Sequence, residues 1–165
     1  MLYEWIRTII ILPMNALVFI PAVILYFAGY QWTPNHPALL VIGGILLILG
    51  LCLAGWTMRL FAVLGKGTAA PWNPPKKLVV SGPYCYVRNP MITSVLTMLF
   101  AEVLLLNTWW CFGWFALFCL VNMIYFPLFE EKDLEKRFGE SYLEYKRNVP
   151  RWIPRLTPWI PSSIK

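Results

Sequence analysis

A chain of 165 residues that is 59% hydrophobic and only 13% charged forms one domain and lies above the roughly half-apolar composition of soluble proteins. Composition therefore excludes an ordinary soluble domain and points to an integral membrane protein. The net charge of +6 gathers on one membrane face, as shown below, where it suits anionic lipid or an anionic ligand better than nucleic acid.

In chain order, the first apolar segment is Thr8 to Ala28, which carries no Asp, Glu, Lys or Arg. Its near-neutral leader MLYEWIR and its length distinguish it from a secretory signal, so it is read as the first span, 8–28. The second span, 38–60, carries Gly50 and Ala54 at the small-xxx-small spacing that lets helices approach closely in lipid. A Gly- and Pro-rich loop, 65–90, follows. Its content of Trp72, Leu78, Val79, Val80, Tyr84 and Tyr86 predicts an ordered, packed loop. The third span, 91–106, is shorter and contains Glu102, and the fourth runs from 108 to 129. Asn107 alone joins them, so they form a helical hairpin whose open ends place Arg88 to Pro90 level with Phe129 to Glu131. The tail, 130–165, begins with an amphipathic helix broken at Gly139, its apolar face formed by Leu134, Phe138 and Tyr145.

All fourteen Lys and Arg lie before the first span, from Arg59 at the end of the second span to Arg88 before the third, or after the fourth. The positive-inside rule then places both termini, the long loop and the tail in the cytoplasm. The predicted fold is all-α, a single membrane domain of four transmembrane helices with a cytoplasmic cofactor-binding loop and tail helix. Three of the four cysteines, Cys52, Cys111 and Cys119, fall inside spans and Cys85 on the cytoplasmic side, which argues against membrane thiol exchange. One histidine and no Cys/His cluster leave no expectation of a metal site.

The stretch SGPYCYVRNPM, Ser81 to Met91, sets Arg88 and Asn89 among two tyrosines and two prolines just before an apolar run. A basic loop there is either a membrane-surface anchor or part of a site. Glu130 and Glu131 pose the same choice between surface carboxylates and groups that hold a cation. Taken together, carboxylates, an arginine, tyrosines and exposed backbone beside lipid suit S-adenosylmethionine. Its ammonium and sulfonium call for carboxylate and aromatic faces, its carboxylate for cationic or N–H donors, and its adenine for an apolar slot.

The set LVVSGPYCYVRNPM, apolar hairpin, Glu-Glu and FGESYLEYKRNVPRWIP resembles the integral-membrane methyltransferases of the isoprenylcysteine carboxyl methyltransferase and phospholipid methyltransferase group. The resemblance extends over about Gly65 to Pro154, and its best signal is Arg-[His/Asn]-Pro before the hairpin with Glu-Glu after it. It implies S-adenosylmethionine as cofactor, contacted by Lys76, Lys77, Leu78, Val79, Tyr84, Asn89, Pro90, Met91, Ile92 and Glu130, with Glu130 at its amino end. Arg88 and Glu131 are expected to position the site. Asn89 stands where the eukaryotic prenylcysteine enzymes have His, Ile92 where Tyr is frequent, and Phe126 where those enzymes grip the substrate carboxylate with Arg. That last difference turns the expected acceptor away from prenylcysteine.

The expected function is methyl transfer to a lipid or lipophilic small-molecule acceptor at the cytoplasmic face. Arg147 and Arg151 are candidates to orient an anionic head group, or else positive-inside anchors. The competing reading is a non-catalytic four-helix membrane scaffold or small transporter, for which Glu102 within a span is the relevant feature.

Overall fold

A computed structural model describes residues 2–33, 35–68, 70 and 72–161; the end of the expected tail, 162–165, lies outside the described residues. The regular elements among them are all helical: α1 (Leu2–Ile11), α2 (Ile20–Phe27), α3 (Pro37–Leu60), α4 (Pro90–Leu106), α5 (Trp109–Tyr125), α6 (Glu131–Phe138) and α7 (Glu140–Asn148). Three helical rods among the described residues are long and apolar enough to cross a bilayer: Ile6–Phe27, Pro37–Gly65 and Trp109–Phe138. The expected third span is α4, whose 17 residues reach about 26 Å, short of a hydrocarbon core about 30 Å thick. Side chains such as Ile45, Ile48, Leu117, Leu120 and Ile124 stand exposed on the outer surfaces, a distribution suited to lipid.

Two of the rods pass through a wide, π-type turn beside a proline. Asn15–Phe19 joins α1 to α2 just after Pro13, and the Asn15 side-chain amide donates to the carbonyls of Ile10 (3.0 Å) and Ile11 (2.8 Å). Phe126–Glu130, which contains Pro127, joins α5 to α6. The sequence places the end of the span at 129. Instead the helix continues through the charged residues to Phe138, because widening the turn accommodates a residue without an N–H.

The closest helix pair is α3 with α4. Gly43, Gly50, Ala54 and Thr57 are the buried face of α3, and a Cβ at Gly50 would stand 2.5 Å from Met98 Cγ and 3.1 Å from the Ser94 carbonyl oxygen. At Gly43 it would meet Leu105 at 2.8 Å. Small residues thus bring two backbones together where lipid offers no hydrophobic drive between helices. Asn107, in the left-handed region at φ 47°, turns the chain into α5. Asn tolerates that conformation better than most residues.

The long loop and the tail lace together outside the helices. Arg88 N–H donates to Pro150 O (2.9 Å), Arg155 N–H to Tyr86 O (3.0 Å) and Trp159 N–H to Cys85 O (3.0 Å). Gly139, at φ 54°, breaks α6 from α7. Tyr142, Tyr145 and Val149 then form a buried cluster with Leu78, Leu134, Phe138 and Trp159.

Gly50→Val should destabilise the protein by about 1–3 kcal/mol through overpacking. Gly44→Ala, whose Cβ meets nothing within 4 Å, should be neutral or slightly stabilising. Thermal unfolding of the two variants in detergent checks the difference; equal midpoints would contradict the α3/α4 contact.

Candidate functional site

Topology brings the sequence-distant Arg88 and Glu131 into an ion pair of 2.7 Å, with both side chains nearly buried. Arg151 grips the same carboxylate with Nε (2.5 Å) and Nη2 (2.8 Å). Lys146 stands 3.2 Å from Oε2 of Glu131 and 2.6 Å from Glu135. Donating to the Glu135 and Glu131 carboxylates pushes the Lys146 ammonium pKa up, and donating to Glu131 does the same for Arg151. Arg88 also reaches the Tyr142 hydroxyl at 3.4 Å. One carboxylate therefore anchors the loop before α4, helix α7 and the segment after it.

Tyr145 closes the same arrangement from beneath, its hydroxyl donating to Tyr84 O at 2.7 Å inside the protein. Burial pushes the Tyr84 and Tyr145 phenols well above their ordinary range, so both stay protonated donors. Tyr84 stacks on Phe61 with ring centroids 5.3 Å apart. The first turn of the loop is fixed by Lys76 N–H donating to Gly65 O (2.8 Å) and by the Arg137 guanidinium donating to Pro75 O. Gly67 is required there, since a Cβ would lie 2.6 Å from the Pro74 carbonyl oxygen.

Between this lid and the helices lies a cavity of about 810 Å³, within the roughly 300–1,000 Å³ of small-molecule sites. Its polar end presents Tyr84, Arg88, Asn89, Glu130, Asp133 and Arg137; its remaining walls are largely apolar side chains of α1, α3, α4 and α5. Three buried donors here have no partner among the described residues: Tyr84 Oη, Arg88 Nε and Asn89 Nδ2. A buried donor left unpaired costs about 1–3 kcal/mol, so a ligand that supplies acceptors gains from them. Glu130 offers the opposite chemistry. It is half-buried, faces the same space, and has no hydrogen-bond or ion-pair partner among the described residues.

Of the residues singled out in the sequence, Lys77, Leu78, Val79, Tyr84, Arg88, Asn89, Met91, Ile92 and Glu130 line this cavity. Lys76 is exposed, Pro90 is buried at the start of α4, and Glu131 is committed to its three cations. Arg151 is one of those cations, while Arg147 is exposed on α7 away from the cavity. Glu102 lies about one turn before Asn107, at the other end of α4 from Asn89. Sequence reasoning missed Asp133, Arg137, Asn122 and the contribution of α1 and the wide turn after it, which bring Thr8, Asn15 and Ala16 to the cavity. Helical spacing from Glu130 signals Asp133, and a lone amide within an apolar span signals Asn122.

Residues 38–141, more than half of the chain, match the family described as phospholipid methyltransferase. The matched region contains Arg88, Asn89, Glu130 and Glu131 and stops before Tyr142, Tyr145, Lys146 and Arg151. No curated protein and no solved structure matches the chain.

Glu131→Gln should loosen the lid by about 3–5 kcal/mol, because it leaves buried cations facing a neutral amide. Glu135→Gln breaks a half-exposed pair and should cost less than about 1 kcal/mol. Hydrogen exchange at residues 84–88 and 149–159 reads the difference: faster in the first variant, unchanged in the second. Unchanged exchange in Glu131→Gln would contradict the anchoring role.

Proposed function

The chain belongs to the phospholipid methyltransferase family, and from that premise we propose that it transfers a methyl group from S-adenosylmethionine to a lipophilic acceptor held in the membrane, at the cytoplasmic face. The observation that carries this reading is the meeting, in one largely apolar cavity, of the Glu130 carboxylate with three buried donors, none of these four groups having a partner among the described residues. These residues fit the cofactor. Glu130 accepts from its ammonium, and Tyr84, Asn89 and Arg88 Nε supply donors for its carboxylate or adenine nitrogens. Leu78, Val79, Met91 and Ile92 form the apolar walls beside them, while exposed Lys76 and Lys77 add positive charge and Pro90 fixes the first turn of α4. When bound, S-adenosylmethionine supplies a methyl group on a sulfonium, transferable by in-line displacement.

The protein then has little proton chemistry to perform. Its residues fix orientation and exclude water, the contributions from which proximity and electrostatic preorganisation arise. Arg88 and Glu131 hold the loop that carries Asn89 against the helix that carries Glu130. The acceptor belongs in the apolar part of the cavity, between α1, α4 and α5, its head group near Arg137 and Asp133. Arg151 is held by Glu131 and Arg147 is exposed away from the cavity, so both add positive charge on the lid side without contacting the acceptor. The charge distribution along the chain supports a cytoplasmic lid. Glu102 sits at the opposite end of α4 from the site, so transport through it has no connection with the cavity mouth.

Equilibrium binding of S-adenosylmethionine to detergent-purified protein tests the assignment. The parent should bind, and Glu130→Gln should weaken binding by about 1.5–3 kcal/mol, the value of a hydrogen bond to a charged group. Arg147→Ala should leave cofactor affinity unchanged. Equal affinity of folded Glu130→Gln and the parent would reject the role of Glu130.

A further inference from the structure

At its end toward α2 the cavity meets a second, open groove, and one side chain lines both. Trp114, on α5, is sixteen residues before Glu130, about 24 Å along a helix. Beyond it, on the outer side, an apolar groove runs between α2 and α5, walled by Ile24, Phe27, Trp110, Gly113 and Leu117. Trp114 is the one residue common to both walls among the described residues. Ile20 faces the cavity and Ile24, one helical turn later, the groove.

The indole is held across this seam from two sides. Its Nε1–H donates to Ala16 O at 2.9 Å, in the wide turn after Pro13. Its ring packs against Phe118 at 6.0 Å between centroids. A hydrogen bond in a low-dielectric setting strongly favours one orientation, and the Trp nitrogen has found its partner where a buried indole requires one. On the far side, the neighbouring Gly113 is exposed and a Cβ there would meet nothing within 4 Å. The indole therefore stands between the cavity and the open groove.

Resting on the methyltransferase reading above, we propose that Trp114 is the floor of the acceptor site and sets the length of hydrocarbon tail the cavity accepts. The occupant is the acyl or alkyl chain of the acceptor, its polar end near Arg137 and its methyl end against the indole. A longer tail meets the ring and must bend back or withdraw the head group from the polar end. Removing the ring joins the cavity to the groove and lets the tail run on between α2 and α5.

The test is competition binding, without cofactor, of lauroyl, palmitoyl and arachidoyl lysophosphatidylethanolamine to detergent-purified protein, read by native mass spectrometry. The parent should discriminate against the arachidoyl probe. Trp114→Ala should raise the arachidoyl-to-lauroyl ratio about tenfold, the low end of what an ill-fitting methylene costs in an apolar pocket. Trp114→Phe keeps most of the bulk and should stay near the parent, and Gly113→Leu added to Trp114→Ala should narrow the new passage and reverse part of the gain. If Trp114→Ala does not purify as a monodisperse species, Trp114→Leu carries the same expectation at smaller amplitude. No binding to the parent, no tail-length discrimination, or a ratio unmoved by removing the ring overturns the proposal. A shifted ratio in a protein that does not bind S-adenosylmethionine would instead leave the floor standing and overturn the methyltransferase reading.

Discussion

The arrangement depends on a nearly buried carboxylate, Glu131, held by Arg88, Lys146 and Arg151. Taking such charges out of water is costly, and only close, multiple pairing repays it. The pairing ties together three parts of the chain with no local reason to meet: the loop before α4, the start of α6 and the end of α7. It also divides the work of the Glu-Glu pair. Adjacent helical residues point about 100° apart, so fixing Glu131 toward the cations turns Glu130 to the cavity, where it faces Asn89 and Tyr84 across the same space.

Helix packing makes the room that this anchor closes. Glycines bring α3 and α4 into backbone contact, whereas bulky Trp114, Phe118, Tyr125 and Phe126 space α5 from its neighbours and line the cavity. The prolines contribute at both ends. Pro127 sits in the wide turn that delivers Glu130, and the wide turn after Pro13 provides the carbonyl that Trp114 uses. Wide turns of this kind recur at functional sites because they re-aim side chains without breaking the helix.

What was legible in the sequence is what local chemistry dictates. The charge-free runs marked the long rods, Asn107 marked a hairpin turn, and Gly139 marked the break between α6 and α7; the last two adopt positive φ. The level meeting of Arg88 with Glu131 followed from the short turn between α4 and α5. The shortness of α4 was legible as the run 91–106, but the continuation of α5 through Glu130 was not, because a π-type turn keeps a proline inside a helix that pattern alone would end. Nor was the lacing of Cys85, Tyr86 and Arg88 to residues 150–159, which depends on contacts some sixty or more residues apart. The inward face of α1 was missed although that helix is not apolar all round: Glu4, Arg7 and Thr8 lie on it, and Thr8 is the polar residue that turns inward to the cavity.

The central claim is that a cytoplasmic cavity brings S-adenosylmethionine to a membrane-held acceptor. Sealed vesicles of both orientations, supplied from outside with methyl-labelled S-adenosylmethionine, which does not cross the bilayer, address it directly. The account predicts protein-dependent label in the extracted lipid fraction of inside-out vesicles and none in right-side-out ones. Label confined to right-side-out vesicles, or no lipid label in either with cofactor-binding protein present, would contradict it.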